Sequence, residues 1–419
     1  MRINKGFLIS KSPRVSRGRL EGNRISSGMI ANQWRRYMAK RKRSPSWKKG
    51  YRGEIMKLLL SIGVISKRGI PLLKGNHRMY VRKIKEMEDE RIIEKHRNSG
   101  NVTDNLKEFD KRLDEYIGEF KNGYYGHYNR YCRTNADYVT KYGKDKTQFE
   151  RAVRDSESAM MVYSSGAKVI AEEKPALRLE ETKIPKGESL YYRTAEIKDS
   201  RAVRSEERIL AQTRCNGWLT CPGGEYLVYM IGKKLIRWRE VSETGFAGYV
   251  STITEGKKEG GKREVKEGIL LAYTDEPYRR MLSFDKQIST NLNIENGHKV
   301  MYGITYDTIG RDMLSLMQKK NWKEMLKKTY LSDMKLNTGM KSYVACDALD
   351  GDVKVLLYCI PDLVRLKRFI SAAMIEGDAT RYHIYCFDYQ ENFIVEVAGE
   401  YCEVYTTPFY EYYNTQMDA

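Results

Sequence analysis

The hydrophobic pattern that organises the chain lies between Tyr51 and Arg97. Ile55, Leu58, Leu59 and Ile62 share one helical face, and Gly63 follows where a helix end takes a left-handed residue, so a first helix ends near Ser61. Ser66 is an N-cap residue type ahead of a second short helix with Ile70, Leu72 and Leu73, where Pro71 fits only in the first turn. Lys74-Gly75-Asn76 then turns the chain. From Asn76 a third helix repeats Met79 or Tyr80, Ile84 and Met87 on one side, with Arg78, Arg82, Lys83 and Lys85 elsewhere on its surface. EDERIIEKHR is polar, then β-branched, then polar, which predicts a strand opening a wing. With NSGNVTD as the closing turn, residues 50–103 are expected to form a winged helix-turn-helix.

Downstream the period changes more than once. Leu106, Phe109, Leu113 and Ile117 predict a helix over 104–120, and QFERAVRDSESAMMVYSSGAKV predicts one ending near Gly166. Residues 104–204 read as a helical and irregular connector with one strand-like stretch at Ser189 to Tyr192. From Ser205 to Ala419 the pattern is that of an α/β domain. SEERILAQTRC reads as a helix capped by Ser205, and strands at Gly217–Thr220 and Glu225–Ile231 flank the hairpin Cys221-Pro222-Gly223-Gly224. Lys234–Trp238 is expected as the third strand of that meander, with a helix or its approach at Gly245–Thr254. GILLAYTDEPYRRMLS predicts a strand and then a helix from near Glu276, NGHKVMYGITY a strand, and IGRDMLSLMQKKNWKEMLKK one helix. DVKVLLYCIPDLVRLKRFI and RYHIYCFDYQENFIVEVAG give strand-rich ends. The fold class is therefore α+β or α/β, multidomain: an N-terminal winged helix-turn-helix and a C-terminal mixed sheet with helices.

Charge changes this picture at the N-terminus. Residues 1–49 hold fifteen Lys or Arg against the single acid Glu21, a balance of +14 out of +20 for the whole chain. An arm of that composition does not bury enough apolar surface to fold alone, and Lys40-Arg41-Lys42-Arg43 has the character of a polyanion-binding tail. The chain of 419 residues exceeds the size at which a single core stops growing, so several domains are expected. Its longest apolar run, LLLSIGVI, is too short for a membrane span, and the first 30 residues lack a signal-peptide core, so the expectation is a cytoplasmic protein without membrane contact. Seven scattered cysteines without a C-x-x-C pair and five dispersed histidines suggest reduced thiols and no metal cluster. No GxxxxGK[ST] loop is present, so an ATP-driven motor is not expected. Six tyrosines between Tyr124 and Tyr142 raise a phenolic nucleophile, but packing is the simpler reading of them.

In a helix-turn-helix the third helix enters the major groove of double-stranded DNA, its first residues reaching base edges while flanking Lys and Arg meet phosphates. The candidates are Asn76, His77, Arg78, Arg82 and Lys83, with Lys40, Arg41, Lys42 and Arg43 of the arm on the backbone.

EIMKLLLSIGVIS, followed by RKIKEMEDERIIE and much later by ILAQTRCNGWLTCPGGEYLVYMIGKKLIRWREVSE, resembles the replication-relaxation family of plasmids and integrative conjugative elements over most of the chain after residue 50. The resemblance implies a DNA-binding front, a C-terminal α/β domain and an accessory role in replication, DNA relaxation, transfer or regulation of a mobile genetic element, with replication or transfer proteins as partners. It also implies a nuclease-like end, a degenerate restriction-endonuclease-like fold, with Pro361-Asp362 followed by a strand Phe393–Ala398 bearing Glu396. In PD-(D/E)XK nucleases such carboxylates hold Mg²⁺ and a lysine two positions on helps activate water. Here that position is Ala398. A second acidic arrangement is Glu206 with Asp275 and Glu276. A non-enzymatic DNA-binding protein that needs no cofactor is the leading expectation, and a Mg²⁺-dependent nuclease or relaxase using Asp362 and Glu396 is the alternative.

Overall fold

The computed structural model describes residues 50–62, 65–89, 146–170, 173–177, 184–185, 187–199, 212–255, 265–283, 291–337 and 345–418. Two compact units emerge, one of residues 1–156 with 170–172 and one of residues 157–169 with 173–419. The expected basic arm, wing strand, helix 104–120 and tyrosine-rich segment lie outside the described residues, as does most of SEERILAQTRC.

In the first unit helix α1 (Gly50–Ile62) and helix α2 (His77–Asp89) flank a single 3₁₀ turn over Ile70–Leu72. The expected second α-helix is thus only a turn. Its bonds run from Leu72 N to Gly69 O and from Leu73 N to Ile70 O, and Pro71 brings no amide to extend them. Ser66, expected as its cap, instead receives Gly69 N on its hydroxyl at 3.1 Å in the turn that leads into it, and no side chain caps the 3₁₀ turn itself. Ile55, Leu58 and Ile62 of α1, Leu72 of the turn, and Tyr80, Ile84 and Met87 of α2 are all buried, so the apolar faces read from spacing form a common core.

The second unit contains two five-stranded sheets. In the first, β1 (Leu190–Arg193), β2 (Gly217–Cys221) and β3 (Gly224–Gly232) are antiparallel, and β4 (Glu267–Ala272) and β5 (Val300–Thr305) continue it in parallel, in the order β1-β2-β3-β4-β5. Helix α3 (Lys146–Ser164) and helix α4 (Thr194–Asp199) flank β1 in sequence. Lys234–Trp238 is not the third strand. β3 already has β2 on one side and β4 on the other, so no place beside it is left for a following strand, and the outer edge of β2 is taken by Leu190–Arg193. Residues after Gly232 instead bridge Arg237 to Asn291, and Trp238 turns inward to donate from Nε1 to Asn296 O at 2.7 Å.

Helix α5 (Glu240–Glu255) and helix α6 (Glu276–Leu282) link the parallel strands. Beyond β5 the single predicted helix is two, α7 (Thr308–Met317) and α8 (Trp322–Tyr330), broken where Asn321 adopts a left-handed φ of 58°. The break is locked: Gln318 donates to Ser165 O, and a Cβ on Gly223 of the β2–β3 hairpin would lie 1.9 Å from Met317 O.

The second sheet repeats the first in order and direction. β6 (Lys335–Leu336), β7 (Ala348–Asp350) and β8 (Val353–Leu357) are antiparallel, and β9 (Tyr382–Phe387) and β10 (Glu403–Thr407) follow in parallel, with helix α9 (Leu363–Glu376) and helix α10 (Glu391–Ala398) as crossovers and helix α11 (Phe409–Asp418) last. Phe393–Ala398, expected as a strand, is helix. Phe393, Ile394 and Ala398 are buried while Val395 is 50% exposed, a period near four that outweighs the β-branched composition. Among the described residues no helix is long and apolar enough to cross a membrane, and the six cysteines there are all free thiols.

The first sheet carries buried polar contacts. Glu243 receives Thr213 Oγ1 at 2.6 Å and Arg214 N at 2.7 Å, and buried Tyr229 places its hydroxyl 2.7 Å from His298 Nε2. Burial pushes His298 down to about 4. The unfolded chain takes up this proton below about 6.5 and the folded chain only below about 4, so this contribution to stability is present at neutral pH and is lost as pH falls through that window. Asp362, pushed up to about 6 by burial, works in the opposite sense, so wild-type acid sensitivity alone does not isolate the histidine. His298→Gln should remove its part: the stability difference between wild type and variant should shrink by about 2 kcal/mol between pH 7 and pH 4.5 in urea unfolding, and a constant difference would mean that His298 titrates as a free histidine.

Candidate nucleic-acid interface

Between residues 50 and 89 there are nine Lys or Arg and four acids. How the local structure presents them is set where α2 begins. Gly75 adopts a φ of 107°, a conformation that disfavours any side chain, and a Cβ there would also meet Tyr51 Oη at 3.1 Å. That same hydroxyl accepts Asn76 N at 3.0 Å, so α1 fixes the point at which α2 starts. The Tyr51 ring meets Tyr80 edge-on at 4.7 Å, and Tyr80 Oη donates to Glu54 and lies 2.9 Å from Lys74 O.

Each candidate of α2 and its cap then has a definite place. Asn76 is the helix cap: its Oδ1 accepts Arg78 N at 3.0 Å and Met79 N at 3.4 Å. His77 turns back onto the preceding loop, with Nε2 donating to Leu73 O at 3.0 Å. Arg78 is exposed and has no ion-pair partner among the described residues. Arg82 and Lys83 converge on Glu86, at 3.0 Å and 2.6 Å, and the Lys83 hydrogen bond, followed by Arg82, holds that carboxyl below its ordinary range. The Arg82 side chain remains 69% exposed. Arg78, Arg82 and Lys85 therefore line the side of α2 opposite buried Tyr80, Ile84 and Met87. Lys40, Arg41, Lys42 and Arg43 lie outside the described residues.

The alternative nuclease residues are engaged otherwise. Asp362 is 2% exposed and caps α9, its Oδ1 accepting Val364 N at 3.0 Å, Arg365 N at 3.4 Å and, from β5, Met301 N at 3.4 Å. Glu396, expected on a strand, stands on α10 and pairs with Arg279 at 2.8 Å. Of the second acidic arrangement, Glu206 lies outside the described residues and Glu276 pairs with Arg280 at 2.8 Å. Asp275 precedes α6, and its carboxyl is pushed up, first by burial and then by Asp307 and Glu396, against the pull of Arg279. Among the described residues no group of three or more His, Cys, Asp or Glu side chains is placed to share a metal ion. The role of Tyr51 escaped sequence reasoning, although Gly75 beside a cap residue was a signal that something approaches closely there.

No family model, curated protein or solved structure matches the chain.

The cap makes a stability prediction. Asn76→Ala should destabilise the first unit by about 1 kcal/mol, because two amides of α2 lose their acceptor, whereas Asn76→Asp should restore most of it. Urea unfolding followed by helix content measures both, and an alanine variant as stable as wild type would show that the side chain does not cap.

Proposed function

We propose that this protein is a DNA-binding accessory protein of a mobile genetic element, acting in replication, DNA relaxation or transfer, or their regulation. The observation that carries the reading is the exposed cationic side of α2, with Arg78, Arg82 and Lys85 at helical spacing opposite the face that packs on α1. A helix whose N-terminal turns carry unburied arginines suits the major groove, where a guanidinium reads guanine and neighbouring cations meet phosphate. Arg82 and Lys83 already pair with Glu86, but exposed ion pairs contribute about 0–1 kcal/mol, so exchanging the carboxylate for phosphate costs little. The N-terminal arm, +14 by sequence, supplies contacts that carry no sequence information. The resemblance of EIMKLLLSIGVIS and the GWLT…GGEYLVY segment to replication-relaxation proteins supplies the mobile-element context, with replication or transfer proteins as partners of the α/β unit. Asp362 and Glu396 serve as a helix cap and an ion-pair partner, which favours binding over Mg²⁺-dependent cleavage.

The test is binding of full-length protein to labelled duplex and single-stranded DNA across a salt series, with Mg²⁺ or EDTA in parallel. Duplex binding that weakens steeply with salt, with the DNA left intact, is the expected outcome. Arg78→Ala with Arg82→Ala should erode discrimination between sequences by about tenfold or more, while deletion of residues 1–49 should mainly lower affinity and flatten the salt slope. Failure to bind any duplex at low salt overturns the proposal, and Mg²⁺-dependent cleavage abolished by Asp362→Ala would establish the nuclease instead.

A further inference from the structure

Val81 lies at the margin of the exposed side of α2, 53% exposed, between buried Ile84 and the cationic stripe, with Arg78 three residues before it and Lys85 four residues after it on the adjoining turns. The core of the unit does not use it, because Tyr80, Ile84 and Met87 already fill the buried face. Nor does it suit the helix. A β-branched residue loses rotamer freedom against the preceding turn and is worse than alanine, lysine or glutamate at a solvent-facing helical position. An isolated exposed apolar residue is ordinary on a protein surface, but one that borders a stripe of three cations has a surface with a specific complement. The only base-edge group in the major groove that is apolar is the 5-methyl of thymine, and it projects among acceptors and phosphates that the flanking arginines and lysine satisfy.

We infer that Val81 reads thymine, its side chain packing on the 5-methyl group of a base pair next to those met by Arg78 and Arg82. The inference rests on the proposed docking of α2 in the major groove and adds a specificity that arginine contacts do not provide. Burying one methyl group in such a contact gives about fourfold in affinity.

The experiment selects preferred duplexes from a randomised pool with the full-length wild-type protein, then replaces each favoured thymine by deoxyuridine, which keeps every hydrogen bond and removes only the methyl. Wild type should lose about threefold to fivefold at one position per binding site. Val81→Ala should bind thymine and uracil duplexes equally, and its circular dichroism should stay unchanged because alanine favours the helix more. If uracil is tolerated at every favoured position, or if Val81→Ala still discriminates, the inference falls while groove binding stands. If neither protein retains any duplex, the docking of α2 itself is wrong and the inference falls with it.

Discussion

Asp362 is the constraint on which the second unit depends. It sits at the junction between the β8 strand and α9, and its carboxylate holds the first turn of α9 through Val364 N and Arg365 N. The same oxygen accepts Met301 N from the far edge of the first sheet, Tyr302 forms an isolated bridge with Asp362, and Gly303 N reaches Pro361 O at 3.0 Å. One residue thus starts a helix in the second sheet's layer and docks that layer on β5. Proline at 361 suits the task, because its carbonyl is used and its missing amide is not needed. Gly303 suits it too, since a Cβ there would meet the Leu363 side chain at 3.1 Å. Burial disfavours the ionised carboxyl, so three backbone amides and the charge of Arg365 are what keep a carboxylate tolerable at that depth.

A second carboxylate does comparable work inside the second sheet. Asp347 is 4% exposed, accepts Leu357 N from β8 at 2.9 Å, and pairs with Arg365 of α9 and Lys327 of α8. Because Arg365 faces both aspartates, the two sites share one cation. Cutting it would leave Asp347 with Lys327 as its remaining cation and weaken the balance at Asp362 at the same time. The parallel between the two sheets gives this coupling its setting: each is an antiparallel triplet continued by two parallel strands, and the linkage between them is built from side-chain and bridge contacts rather than from a continuous sheet.

How much of this was legible in the sequence follows from the range of the forces involved. Elements set by local periodicity read correctly: α1 and α2 from the spacing of Ile55, Leu58, Tyr80 and Ile84, the β2–β3 hairpin from Pro222-Gly223-Gly224, and Asn76 as a turn residue. Elements set by competition for a distant edge did not. Lys234–Trp238 has strand composition, yet Leu190–Arg193, more than forty positions earlier in the sequence, takes the outer edge of β2. Phe393–Ala398 has β-branched composition and helical burial, and the short run is ambiguous until α10 has something to pack on. The site divides in the same way. Arg78, Arg82 and Lys83 were visible as charge at helical spacing, but the pairing of the last two with Glu86, the return of His77 onto Leu73 O and the grip of Tyr51 on Asn76 depend on rotamers and on α1.

These rotamers rank the cations of α2. Arg82 and Lys83 share one carboxylate, so neither is fully committed, and the pair Glu86 makes with each is the weak, solvent-screened kind. Such pairs keep long side chains ordered at little energetic cost and yield readily to a doubly coordinating phosphate or base. Arg78 differs in having no ion pair among the described residues and in standing one residue inside the capped end of the helix, where Asn76 and the Tyr51 hydroxyl fix the backbone beneath it. A long arginine on a fixed backbone loses less orientational freedom on meeting a base edge than one on a frayed terminus does, because only its own rotamers remain to be ordered. The rigidity supplied by Gly75, Asn76 and Tyr51 therefore bears on the proposed function: on that proposal, it would let a charge that attracts any polyanion meet one particular position in a groove.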